Sequence, residues 1–206
     1  AQAQAQKQSQ LMVVVQGWIS QLKSSDAMVV IETLKAIHSN FSQDLRVFAF
    51  HIDPLLSALA SLLKSSFMVL SSSPYSADAV SQMRMLLIDV VSVLFKDENR
   101  AQWVPESQIR VLLPLLIESM LNANELPITQ PEREALIAQA NGCTVAVLNV
   151  GNRTATLVTL LSQLREKSPR TADGSAPQPS ASFLDVIKKC LTRATKSIPT
   201  NLSKLA

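Results

Sequence analysis

Glycine is scarce in this chain of 206 residues: there are four, with one tyrosine, two cysteines and aromatics at only 4%. So few glycines leave little turn chemistry for β-hairpins. So few aromatics deprive a sandwich or barrel of its usual material. The two cysteines, Cys143 and Cys190, are too few for a disulfide framework, and both sit in helical apolar patterns that read as buried, reduced thiols. No apolar run approaches the roughly 18–20 residues of a membrane span; the longest, Leu11–Ile19 and Val111–Ile117, fall well short. No basic segment precedes an apolar core and a cleavage site, so the sequence offers no secretory signal. Three N-x-S/T tripeptides (Asn40–Ser42, Asn152–Thr154 and Asn201–Ser203) therefore read as chance matches, and the expected compartment is the cytosol.

What remains is abundant Leu, Val, Ile, Ala and Met within a 47% hydrophobic composition, the material of helices. Net charge is +3 but unevenly spread. Residues 1–150 carry 10 basic and 13 acidic side chains, a net of −3, whereas residues 151–206 carry 9 and 3, a net of +6. A cationic C-terminal part implies an anionic partner surface: acidic protein, nucleic acid or lipid headgroups.

Apart from a polar, low-complexity start over Ala1–Gln10, read as the end of a linker, the chain resolves into helical runs. Leu11–Lys23 places Leu11, Val14, Val15, Trp18, Ile19 and Leu22 on one stripe. Ser24-Ser25-Asp26 supplies cap residues for a second run from Ala27 to His38, with Val30, Ile31, Leu34 and Ile37 on one face. The connection is short enough to force antiparallel packing. The pattern recurs with His51–Leu70 and Ala77–Phe95, with Pro105–Leu121 and Pro131–Val150, and with Arg153–Glu166 and Ser182–Lys196. The last two are joined by the Pro/Ser/Gly-rich loop Lys167–Ser180. The prolines at 105 and 131 suit first-turn positions. About four antiparallel pairs at a spacing of roughly 45–50 residues predict an all-α, HEAT-repeat-like α-solenoid over residues 11–206. A closed helical bundle is the competing fold. Met85–Phe95 and Val111–Leu121, apolar on more than one side, suit inner positions in a stack.

Enzymatic motifs are missing: no phosphate-binding glycine loop, no nucleophile elbow, and no Cys or His at ligand spacing from His38 or His51. His51 reads as a helix-start residue beside an N-capping Asp53, and Asp97-Glu98 and Glu132/Glu134 as charges at helix ends. The chain is therefore expected to be non-catalytic, with no cofactor or metal. Trp18 is expected in the core; Trp103, ahead of Val104-Pro105, is either a plug between repeats or an exposed anchor. The candidate binding residues are cations gathered on one flank of the last helix, Lys188, Lys189, Arg193 and Lys196, with Arg165, Lys167 and Arg170 nearby. A solvated helix face is the alternative reading of them. Protein is the favoured partner over nucleic acid, because the segment holds only Phe183 as a stacking ring. A second candidate surface is the row of loops Lys23–Asp26, Ser71–Tyr75 and Asn122–Leu126, represented by Lys23 and Asp26.

Three stretches carry a family resemblance: GWISQLKSSDAMVVIETLKAI with the following HIDPLLSAL, LVTLLSQL, and SFLDVIKKCLTRATKSIP. They resemble the C-terminal domain of the ch-TOG/Mini spindles family of microtubule polymerases. The last stretch is similar to that family's F-x-[DE]-[LV]-[VI]-x-K-C-L-x-[RK] helix, here Phe183, Asp185, Val186, Ile187, Lys189, Cys190, Leu191 and Arg193, with Pro199 beyond. The resemblance touches both ends of the chain and loosely covers about half of it. It implies a TOG-like HEAT-repeat domain that docks on γ-tubulin or its complex or on a TACC-type coiled-coil adaptor, at spindles and microtubule-organising centres; the domain is expected to be a monomer. TOG domains that bind αβ-tubulin present a Trp in the first loop. Here that loop is Lys23-Ser24-Ser25-Asp26, which sets αβ-tubulin behind the other two partners. A general HEAT-repeat scaffold with no tubulin link is the second hypothesis.

Overall fold

The computed structural model describes residues 2–68, 75–126, 128–167 and 181–196, and every regular element among them is helical. The chain is all-α over these residues. In order the elements are α1 (Gln2–Gln21), α2 (Ala27–Gln43), a 3₁₀ turn at Leu45–Phe48, α3 (Ile52–Met68), α4 (Ala77–Leu94) and α5 (Glu98–Ala101). They continue with α6 (Glu106–Leu121), a 3₁₀ turn at Asn122–Glu125, α7 (Gln130–Val150), α8 (Arg153–Lys167) and α9 (Ala181–Lys196). Most of the loop expected over Lys167–Ser180, together with Arg170, Ser71–Pro74 and Pro199, lies outside the described residues.

Helix starts follow local chemistry. Asp26 caps α2, its carboxylate accepting from the Met28 amide at 2.8 Å. Ser76 does the same for α4, accepting from Ala79, and Asp97 for α5, accepting from Arg100. α7 opens on a reciprocal capping box: the Thr129 hydroxyl accepts from the Glu132 amide, and the Glu132 carboxylate accepts from the Thr129 amide at 2.9 Å. The Thr129 hydroxyl also donates to the Glu132 carboxylate at 2.7 Å, and this bond, with the one from the Thr129 amide, holds the Glu132 carboxyl below its usual range. Pro105 stands at the N-cap of α6 instead of inside its first turn, whereas Pro131 lies within the first turn of α7. Both placements spend proline's missing N–H where no helical partner exists.

Three boundaries differ from the sequence expectation. α1 begins at Gln2, so the segment expected as linker forms its N-terminal half; Ala, Gln and Lys are strong helix formers and need no buried face to adopt that state. α2 runs on to Gln43 because Phe41 continues the stripe of Val30, Leu34 and Ile37 into the core. Asp53 is not a cap. It lies in the first turn of α3, and its carboxylate accepts from Gln108 Nε2 on α6 at 2.7 Å, tying the two helices across 55 positions of chain.

Contacts between helices run in two rows. α1, α3, α6 and α8 touch in that order, as do α2, α4, α7 and α9, and α1–α2, α3–α4, α6–α7 and α8–α9 touch across the rows. One continuous core joins them, from Val15 and Leu22 on α1 to Ile187 and Ala194 on α9. α6 buries Leu112, Leu113, Leu115, Leu116 and Ile117, more than half of its circumference, because α3, α7, α8 and α9 all lie against it. Each such Leu or Ile withdrawn from water contributes about 1.5–3 kcal/mol before chain entropy is counted. Trp18 and Trp103 are both half-buried against this core, and Trp18 packs on Phe48 with ring centroids 5.7 Å apart.

The α7–α8 junction is tight. A Cβ placed on Gly151 would stand 2.5 Å from the Val147 carbonyl oxygen, a backbone atom that cannot swing aside. Gly151→Ala is expected to lower stability by about 1–3 kcal/mol. A denaturation midpoint equal to the wild type would contradict this close approach.

Candidate functional site

α9 has two unlike faces. Phe183, Ile187, Cys190 and Ala194 face the core. Lys188, Lys189, Arg193 and Lys196 are exposed and, with Asp185 and Thr192, follow i, i+3, i+4, i+7, i+8, i+11 spacing, so all six share one stripe. That stripe faces a second one on α7, made by Asn141, Thr144, Val145, Leu148 and Asn149, again at helical spacing. Between them runs an open groove of about 750 Å³. The four cations picked out from sequence are thus brought together, along one wall of a groove.

Two of them are positioned by neighbours. Lys189 Nζ lies 2.6 Å from Asp185 Oδ2, an exposed i, i+4 pair worth about 0.3–0.5 kcal/mol. Arg193 donates from Nε to Asn149 Oδ1 at 3.1 Å across the groove, a bond that does not use its Nη donors. Lys188 stands on a ridge: it also borders a more apolar groove on the far side of α9, with Leu164, Leu184 and Leu191. Arg165 is exposed on α8, and Lys167 approaches Glu118 of α6 at 3.8 Å. Cys190 lies at the base of the cationic groove, and burial pushes its thiol up; burial pushes Cys143 up to about 12. Both are free and buried, and both stay protonated and unreactive at neutral pH.

Lys23 and Asp26 are elsewhere. They belong to the α1–α2 turn, whose helices pack on α3 and α4, while α9 packs on α6, α7 and α8. Both are exposed, but Asp26 is occupied in capping α2. The Tyr75 hydroxyl donates to the Ser24 carbonyl, joining this turn to the residues that lead into α4. Burial raises the Tyr75 phenol, with the nearby Asp26 charge adding to the effect. Two of the expected loop-row segments, Lys23–Asp26 and Tyr75, therefore do meet. The third, Asn122–Leu126, is held by Arg133, which donates to the carbonyls of Ala123 and Leu126.

The α7 wall was not singled out from sequence. Asn141 and Asn149 carried a usable signal, being polar positions eight apart on a helix whose other flank is apolar. Knowing that this flank faces α9 requires the fold. Among the described residues no three His, Cys, Asp or Glu side chains gather at metal-binding distance, and no helix is long and apolar enough to cross a membrane. No family model, characterised protein or solved structure matches the chain.

Proposed function

We propose that this chain is a non-catalytic protein-interaction domain, built as a HEAT-repeat-like α-solenoid of four antiparallel helix pairs and related to the C-terminal TOG-like domain of the ch-TOG/Mini spindles family. The two rows of helix contacts support the stacked-pair reading, each pair lending its apolar face to the next. In this reading the domain recruits a microtubule polymerase to γ-tubulin complexes or a TACC-type coiled-coil adaptor, at the spindle and microtubule-organising centre. The observation that carries the interaction reading is the cationic wall of the α7–α9 groove, where four exposed cations stand with one carboxylate among them. Such a wall steers and selects an acidic partner surface.

The test is quantitative binding of the protein to purified γ-tubulin complex and, in parallel, to αβ-tubulin and a TACC-type coiled coil. Saturable binding to the γ-tubulin complex or to the coiled coil, stronger than to αβ-tubulin, is the expected result. Binding to none of the three would remove the microtubule reading and leave a general HEAT-repeat scaffold.

A further inference from the structure

We propose that the α7–α9 groove is a docking site for a short acidic peptide segment that carries carboxylates at alternate positions. This rests on the interaction-domain reading above and narrows it to one site and one ligand chemistry. The groove's volume, about 750 Å³, is within the range of sites that enclose a small ligand or a few side chains, so it admits a segment and not a folded domain.

The spacing of the cations sets the pattern. Lys189 and Arg193 are four residues apart on α9, neighbours on one face with an axial distance of about 6 Å at 1.5 Å per residue. In an extended peptide, side chains at i and i+2 lie on the same face about 6.6–6.8 Å apart. A Glu or Asp at every second position therefore meets Lys189 and then Arg193, with Lys188 and Lys196 flanking them. Arg193 is already oriented by Asn149, so its fork is set before the ligand arrives, which lowers the ordering cost of binding. On the opposite wall, Asn141 is exposed and offers one amide donor and one carbonyl acceptor, the complement of a peptide bond, while Val145 supplies an apolar strip between.

Nucleic acid fits less well. The groove lining contains no aromatic ring for a base to stack on.

The experiment is fluorescence anisotropy with a labelled peptide of alternating Glu residues, its Gln-for-Glu analogue, a DNA duplex, and phosphatidylserine vesicles. The acidic peptide should bind, and the Gln analogue should bind at least about tenfold more weakly. K188E/R193E should weaken the peptide by about tenfold or more, and K188E/K196E, which leaves the Arg193–Asn149 bond intact, by a similar factor. K64E, an equal charge change per site at an exposed position of α3, should leave binding within about twofold. Thermal unfolding of each variant separates loss of binding from loss of fold. Equal weakening by K64E and by the groove variants would reduce the effect to a general field and overturn the proposal. So would tighter binding of the duplex or the vesicles than of the peptide. Peptide binding without γ-tubulin complex or adaptor binding would keep the groove and discard the microtubule reading. Complex or adaptor binding that survives K188E/K196E, with no peptide binding, would do the reverse.

Discussion

Phe41→Ala is expected to lower the unfolding free energy by about 3–5 kcal/mol. Phe41 is fully buried near the end of α2, edge-on to Phe48 with centroids 5.5 Å apart, and Phe48 in turn lies against Trp18 of α1. The three rings tie α1, α2 and the 3₁₀ turn before α3 into one cluster. Removing the Phe41 ring deletes transfer energy and leaves a void that the surrounding helices can only partly close. The backbone there is also fixed. Arg100 on α5 donates to the Phe41 carbonyl at 2.7 Å and the Ser42 carbonyl at 2.9 Å, satisfying two of the orphan acceptors at the C-terminal end of α2. The site therefore collapses poorly, which places the cost in the upper part of the range seen for large-to-small core changes. A domain typically has 5–15 kcal/mol in total, so this one change removes a large share of it. Urea unfolding followed by Trp fluorescence measures it, with Phe50→Ala as the control. Phe50 is 80% exposed, and its truncation should stay within about 0.5 kcal/mol of the wild type. Similar midpoints for the two variants would show that the aromatic cluster does not carry this end of the molecule.

Most helix boundaries were legible in the sequence, for a reason visible in the caps. Asp26, Ser76, Asp97 and Thr129 act within three residues of themselves, so the sequence alone displays both partners of each bond. The exceptions are instructive. α5 spans four residues and is too short to show any period. The helical state of Gln2–Gln10 comes from residue propensity and not from an apolar stripe, so a search for stripes passes over it. The candidate site divides in the same way. The cations of α9 lie one, four and three positions apart in sequence, and helical spacing is enough to gather them. Their α7 counterparts are about 44 positions away, as the Arg193–Asn149 bond shows, and nothing local marks which helix will lie alongside. The bonds from Gln108 to Asp53 and from Arg100 to Phe41 are equally long-range, which is why Asp53 read as a cap and proved to be an inter-helix tie.

A buried arginine gives the second large effect, and it turns on how a charge is kept in the core. Arg84 of α4 is only 1% exposed, and burial lowers its guanidinium to about 10 from an ordinary value near 12.5. It remains charged at neutral pH, so the core must hold a cation. One of its Nη groups donates to the carbonyl of Ser66, which lies in the last turn of α3, where helical carbonyls lack intrahelical partners and the helix dipole favours positive charge. Arg84 thus closes the end of α3 from a neighbouring helix. Arg84→Ala removes this donor to the Ser66 carbonyl and opens a void along the lost side-chain stem; the expected loss is about 2–4 kcal/mol. Arg84→Met keeps most of the stem's packing and abolishes the buried charge, so the gain in desolvation offsets much of the lost hydrogen bond. It should stay within about 1 kcal/mol of the wild type. Because the folded-state value is the lower of the two, this group's contribution is flat below about pH 10, where both states are protonated, and would shift toward greater stability only above it. The difference between wild type and Arg84→Met should accordingly be constant across neutral pH. Equal losses for Ala and Met would mean that the charge and its bond to α3, and not the packing of the stem, hold α3 and α4 together.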